Sequence, residues 1–328
     1  MRELHMNRRQ FLAAGSAAGA FGLVGGALPA AAQTQFSIAT GTTGAVYYPL
    51  GGAMANILSK KVPGWAVTAE ATAGSVANMH MIRDGKAQMA LTQCDTAYDA
   101  IKGLDKFKGK PVESRTLAVV YPNLVHFVTM EGTGINKLSD IKGKRISTSA
   151  PVSGSEVMAL RIIEELGLKL SDIKRERLSP AESTNAMKDG KLDGYFFNGG
   201  PPVAAITDLA ATQGIKIKLI STADLVPALN KKYGPVFAAS QIPAKAYPNQ
   251  DAAVPVIAIW NILIVPASMS DDQAYTITKT LWENHADLVA THKASTDMTA
   301  ENQKAANSSV PFHPGAMKYF AEKGIKLS

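Results

Sequence analysis

The sequence predicts an α/β fold of two lobes, each a mainly parallel sheet flanked by helices, with two segments crossing between them. Three observations carry this. An apolar strand, a loop of small polar residues and an amphipathic helix recur along the chain, the pattern of parallel sheets covered on both faces. Two long apolar runs, Leu117 to Met130 and Val254 to Val265, stand near its one-third and four-fifths points, as a chain passing twice between lobes would leave them. With 328 residues, 46% of them hydrophobic and 19% charged, the chain can bury two cores and has an ordinary globular composition.

The first thirty or so residues read differently. Asn7-Arg8-Arg9-Gln10-Phe11-Leu12 runs from a basic stretch into the Ala- and Gly-rich segment ending near Leu28, and Ala30-Ala31-Ala32 supplies small residues for cleavage before Gln33. Residues 1–32 are thus expected to be an export signal rather than a membrane span, with the Arg pair of the twin-arginine type. Met6 is a second candidate start. Periplasmic localisation of the remainder follows.

The repeating units come next. The strand Phe36 to Thr40 leads to Gly41-Thr42-Thr43-Gly44 and a helix through Leu58, with Pro49 near its start, where a missing N–H costs nothing. Val67 to Ala71 leads to Thr72-Ala73-Gly74-Ser75 and a helix from Val76 to Asp84. Ala87 to Thr92 leads to the loop Gln93-Cys94-Asp95-Thr96 and a helix from Ala97. Arg145 to Thr148 leads to Ser149 through Ser155, then a helix to Leu166 closed by Gly167. Tyr195 to Phe197 leads to Asn198-Gly199-Gly200-Pro201-Pro202 and a helix to Ala211. In the last third, Ser270-Asp271-Asp272-Gln273 is a capping-box signature, followed by Ala274, Ile277, Leu281 and Leu288 at helical spacing. The expected boundaries are 33–120 with 266–328 for the first, discontinuous lobe, and 121–265 for the second.

The chemistry expected of this layout is binding. Helix starts present unpaired N–H groups and partial positive charge, and open α/β sheets place ligands at the carboxyl ends of their strands. All five loops lie there. They are rich in Thr, Ser, Asn and Gln and poor in Lys and Arg, which suits hydrogen-bonded capture of a small polar anion. Residue by residue the reading stays open. Ser75, Ser155 and Asp95 are as well suited to capping helices, Tyr47, Tyr48 and Tyr121 to packing at a lobe edge, and Asn198 to a turn. His126 reads as a core or hinge histidine and His313 as structural. Glu156, just inside a helix start, complements the dipole or, facing the cleft, receives a ligand ammonium.

Composition narrows the classes. The formal charge of +7 falls only modestly once the leader is removed, and suits an anionic ligand. The basic residues are scattered among acids, unlike a nucleic-acid footprint. One cysteine, Cys94, excludes an intrachain disulfide. Nucleophile-elbow, zinc-protease, phosphate-loop and dinucleotide-loop signatures are missing, so no enzyme, cofactor or metal is expected.

Several segments resemble a known family, the TAXI-type solute receptors of TRAP transporters. They are Ile38 to Gly51 (IATGTTGAVYYPLG), Ala73 to Asn78, Gln93 to Ala100, Leu138 to Arg145, Lys188 to Gly194, and His313-Pro314-Gly315-Ala316. The likeness covers the whole mature chain in order. It implies the type II periplasmic binding fold, a monomer working with TRAP membrane permease subunits, and a ligand of the glutamate or 2-oxoglutarate class held between closing lobes. It also implies ligand contact at Gly41, Thr42, Gly44, Tyr47, Ser75, Asn78, Gln93, Tyr121, Ser153, Gly154, Ser155 and Gly200. One loop departs from the family's Pro-Gly-Ser-Gly-Thr: here Pro151-Val152-Ser153-Gly154-Ser155-Glu156 replaces a glycine by valine and adds a glutamate. The competing readings are the binding protein of an ATP-driven importer, or a sensor, on the same fold, and an exported enzyme on a related two-lobe fold.

Overall fold

The computed structural model describes residues 33–327. The expected export signal, with its cleavage before Gln33, lies outside the described residues.

The first lobe opens with strand β1 (Thr34–Ala39) and helix α1 (Tyr47–Lys61), then β2 (Trp65–Glu70), α2 (Ser75–Arg83), β3 (Met89–Gln93) and α3 (Cys94–Lys102). β1 pairs in parallel with both β2 and β3. The helical crossovers place β2 and β3 on opposite sides of β1, and because the three strands are parallel the loops into α1, α2 and α3 all leave the carboxyl ends of adjacent strands. α1 runs to Lys61, past the expected Leu58, and stops before Pro63, whose ring disfavours helix at the preceding residue. The expected loop at 93–96 is instead helical: β3 passes directly into α3 at Cys94.

Two long strands join the lobes. β4 (Ser114–Met130) has 17 residues, and β10 (Val254–Pro266) has 13. At about 3.3 Å per residue β4 spans some 55 Å, enough to run through both lobes. It is apolar on both faces and almost entirely buried, as a strand covered by helices on both sides must be. The second lobe holds β5 (Arg145–Ser147), α4 (Gly154–Glu165), β6 (Lys174–Glu176), α5 (Pro180–Lys188), β7 (Gly194–Gly199), α6 (Ala204–Ala211), β8 (Ile217–Leu219), α7 (Val226–Tyr233) and β9 (Ala238–Ile242). β5 is parallel to β6 and β7. The sheet order β2-β1-β3-β10-β4-β7-β5-β6 is therefore parallel at both ends. In the middle β10 returns antiparallel to β4.

The chain closes with α8 (Asp271–Glu283), α9 (His285–Thr291) and α10 (Pro314–Glu322). Ser270 caps α8, its hydroxyl accepting from the Gln273 N–H, 3.3 Å. Ala274, Ile277 and Leu281 are buried along α8, whereas Leu288 is buried from α9, beyond a break at Asn284. His313 caps α10 through its Nδ1 and the Gly315 N–H, 3.1 Å, a structural role.

His126 is fully buried on β4. Its Nδ1 lies 2.8 Å from the Leu124 carbonyl and its Nε2 2.8 Å from the Tyr247 hydroxyl. Burial pushes its pKa down to about 4, against about 6.5 in an unfolded chain. The folded state therefore holds a neutral ring that the unfolded state protonates first. This contribution is complete above pH 6.5 and is lost as pH falls toward 4, amounting to about 3 kcal/mol over that range. The urea midpoint of the wild type should fall more steeply across this window than that of His126→Gln. Parallel slopes would show that the histidine is not the group responsible.

Candidate functional site

The loops of the two lobes meet around one cavity. From the first lobe come Gly41, Thr42, Tyr47, Ser75 and Gln93, and from the crossing strand β4 comes Tyr121. From the second come Ser153, Gly154 and Ser155. Nine of the anticipated residues are thus brought to one place. Asn123, Ser149, Pro180, Phe197 and Asn198 complete the polar and apolar walls. The cavity leaves ≈ 40 Å³ open to water, room for a few waters or one small molecule.

Five helices begin at its edge. α1, α2 and α3 start without a side-chain cap, so their first-turn N–H groups have no side-chain partner, though the Ala77 N–H of α2 is taken by the Val152 carbonyl. α4 starts at Gly154 behind the Ser153 cap, and α5 at Pro180 behind the Ser179 cap. None of the lining residues carries a charge. What the cavity offers an anion is therefore helix-dipole potential and neutral donors. Burial pushes the Tyr47 and Tyr121 phenols well up, so both hydroxyls stay protonated at any ordinary pH.

A chain of amides organises the floor. The Asn261 Nδ2 donates to the Tyr121 carbonyl, 3.0 Å, which turns its Oδ1 toward the Tyr47 hydroxyl and the Asn123 Nδ2. The Asn123 Nδ2 also donates to the Gln93 Oε1, 2.8 Å, and the Asn198 Nδ2 donates to the same oxygen from the second lobe, 3.0 Å. Gln93 is thus held by the crossing strand β4 and by the end of β7. Ser75 and Ser155 are not caps. The Ser75 hydroxyl accepts from the Gln93 N–H, 3.1 Å, and that of Ser155 from the Asn198 N–H, 3.0 Å. Each ties a helix start to the neighbouring strand end.

The lobes touch directly. The Val152 carbonyl accepts from the Ala77 N–H at the start of α2, 3.0 Å. Behind the cavity, Arg161 of α4 pairs with Asp95, 2.9 Å, and with Asp99, both on α3. Asp95 is therefore an ion-pair partner rather than a cap. Burial pushes both carboxyls up, Asp99 to about 6, while Arg161 pulls against it. The Arg161 guanidinium also lies 4.5 Å from the Tyr233 ring centroid.

Three expected contacts lie elsewhere. Asn78 is buried, its Nδ2 donating to the Thr40 and Leu91 carbonyls, 2.7 Å each, and its Oδ1 accepting from the Thr72 hydroxyl, 2.6 Å. It staples the ends of β1 and β3 to the loop before α2 and has little capacity left for a ligand. Gly44 turns the chain into α1 at φ +82 and lines a surface groove beside Tyr48 and Pro49. At Gly200 a Cβ would lie 2.6 Å from the Ala294 Cβ and 3.0 Å from the Tyr121 ring. The glycine gives room to Tyr121 rather than to a ligand.

Glu156 does not receive an ammonium. Its Oε1 accepts from Arg175 and Arg177, 2.6 Å each, and its Oε2 from the Val152 N–H, 3.0 Å. The substituted loop explains the pair. Val152, standing where the resembled family has glycine, sits at φ 54 in the left-handed region, a conformation β-branched residues resist. The Glu156 carboxylate holds its N–H there.

The sequence reading missed α5 and so Pro180. Ser179-Pro180-Ala181-Glu182 is a full capping box with Pro in the first turn, and that signature would have found it. Asn123 was hidden in the apolar run of β4.

A two-lobed α/β fold with its loops converging between the lobes is the type II periplasmic binding protein architecture. Residues 38–324 match the NMT1-like family, and the chain belongs to it. Among solved structures it is similar to the periplasmic binding protein BugD, at 13% identity and TM-score 0.54, over 90% of this chain and 98% of that one. A Bordetella bronchiseptica RB50 protein is similar at 18% identity and TM-score 0.51, over 90% and 83%. The periplasmic aliphatic sulphonate binding protein SsuA from Escherichia coli matches at 13% identity and TM-score 0.43, over 89% and 94%.

Proposed function

We propose that this protein is an exported receptor that captures a small organic acid between its lobes and delivers it to a membrane transporter, without transforming it. The observation that carries this reading is the uncharged cavity into which five helix starts point. Such a site stabilises an anion through fixed dipoles and offers no paired acid, base or nucleophile to do chemistry. The two acidic clusters nearby support it, since Glu156 and the Asp95–Asp99 pair are each matched by arginine and leave the cavity's positive potential uncancelled.

The lobes divide at 120/121 and 265/266, within β4 and near the end of β10, and these strands carry the hinge. Ligand bridging Gln93 and Ser75 to Gly154 and Asn198 shifts the balance toward the closed form. The transporter is of the TRAP type, on the likeness of segments 38–51, 73–78 and 93–100, and the receptor reaches the periplasm by the twin-arginine route as a monomer.

Thermal-shift screening of residues 33–328 against organic acids and acidic amino acids should give a saturable rise in melting temperature with at least one, about 3 kcal/mol of added stability at a hundredfold excess over Kd. The compound should be recovered unchanged. Turnover would replace the receptor by an enzyme. Uptake with the cognate permease in vesicles should follow an ion gradient, and a requirement for ATP would assign the protein to an ATP-driven importer.

A further inference from the structure

The cavity has two unused acceptors. Among the described residues, the buried side-chain polar atoms without a partner include the Asn123 Oδ1, the Asn198 Oδ1 and the Tyr121 hydroxyl, all on residues lining this cavity. A buried amide oxygen left unpaired costs about 1–3 kcal/mol, and native structures rarely tolerate two in one place unless something fills the site.

The amide chain sets which atoms are left over. The Asn261 Nδ2 is committed to the Tyr121 carbonyl, so its Oδ1 must face Asn123. The atom that Asn123 presents to Asn261 and to Gln93 is then its Nδ2, and the Gln93 atom receiving it is Oε1. That oxygen in turn takes the Nδ2 of Asn198. Turning any one amide would set donor against donor or acceptor against acceptor along the whole chain. The remaining atoms are therefore carbonyl oxygens, one from the crossing strand β4 and one from the end of β7, and they call for a hydrogen-bond donor on the ligand. The Tyr121 hydroxyl donates or accepts and does not discriminate.

Charge selects the kind of donor. An ammonium group is ordinarily matched by a carboxylate, and none lines this cavity. The positive ends of five helices also oppose a cation. We infer that the ligand is a small carboxylate bearing a neutral donor, a hydroxy acid, with its hydroxyl bridging the Asn123 and Asn198 oxygens while its carboxylate takes the helix-start N–H groups. This rests on the organic-acid receptor reading and deepens it.

Two matched series test it by calorimetry on residues 33–328. One is propionate, pyruvate, lactate and alanine. The other is glutarate, 2-oxoglutarate, 2-hydroxyglutarate and glutamate. Within each series that binds, the hydroxy acid should bind about tenfold or more tighter than the unsubstituted and the oxo acid, and tighter than the amino acid. Asn198→Ala should remove most of the gap between hydroxy and unsubstituted acid, read as the ratio of the two dissociation constants in the same variant. Asn123→Ala serves the same purpose if the first variant does not fold. An oxo or unsubstituted acid that binds as tightly as the hydroxy acid overturns the inference and leaves the receptor standing. An amino acid that binds tightest also overturns it. Absence of binding by all eight compounds removes the organic-acid receptor itself.

Discussion

Gly154→Ala should weaken ligand binding by roughly 10- to 100-fold while barely changing the melting temperature of the unliganded protein. A Cβ at this position would stand 2.3 Å from the Gln93 Nε2, 2.9 Å from its Cδ and 2.9 Å from the Ser75 hydroxyl. A flexible glutamine could normally swing aside, but this one is held by the Asn123 and Asn198 amides. Moving it breaks the hydrogen-bond chain beneath the ligand. Not moving it keeps α4 away from α2. Overpacking of this kind costs about 1–3 kcal/mol, which corresponds to that loss in affinity. The open form has no such contact, so its stability is spared. Calorimetry with a ligand found by thermal shift, together with small-angle scattering for closure, measures both. An unchanged Kd would mean that the lobes do not close to this distance.

That glycine is legible in the sequence alone, and the reason separates what a sequence shows from what it hides. Loops after strands announce themselves locally: small residues, then a helix pattern. Such signals picked out Gly41, Thr42, Ser75, Ser153, Gly154 and Ser155, which line one cavity, and the apolar runs marked most of β4 and β10. Orientation is not local. Asn78 and Ser75 are three residues apart at the start of one helix, yet Ser75 faces the cavity and Asn78 the sheet ends. Only the strand packed beneath α2 decides this. The sequence left Glu156 open between the helix dipole and a ligand ammonium for the same reason, since its partners Arg175 and Arg177 come from β6 and just beyond it. Asn123 and Asn261 interrupt two apolar strands with amides that burial forces to find partners. Those interruptions, in two runs already expected to cross between the lobes, were the overlooked sign of the polar floor.

The partners of Arg161 are distant too, 66 and 62 residues away. Asp95 and Asp99 share one face of α3 at a spacing of four, and Arg161 follows Gly154 by two turns on the cleft side of α4. The side chains of Arg161 and Asp95 are 6% and 0% exposed. In a rigid core, removing the arginine would leave two buried carboxylates and cost about 3–5 kcal/mol of folding stability. Here the pair sits between lobes, and opening the cleft returns both carboxylates to water. The cost should therefore appear in closure. Arg161→Leu is expected to weaken ligand binding by roughly 10²- to 10³-fold and to lower the unliganded melting temperature by only a few degrees. Adding Asp95→Asn and Asp99→Asn to it should recover much of the affinity, because no charge is then buried by closing. The Gln93 Nε2, 3.4 Å from the Asp95 Oδ1, links this latch to the ligand floor. Wild-type affinity in Arg161→Leu, measured by the same calorimetry, would show that the ion pair rides on closure without driving it. A collapse of the unliganded melting temperature would show that the cleft cannot open far enough to wet the acids.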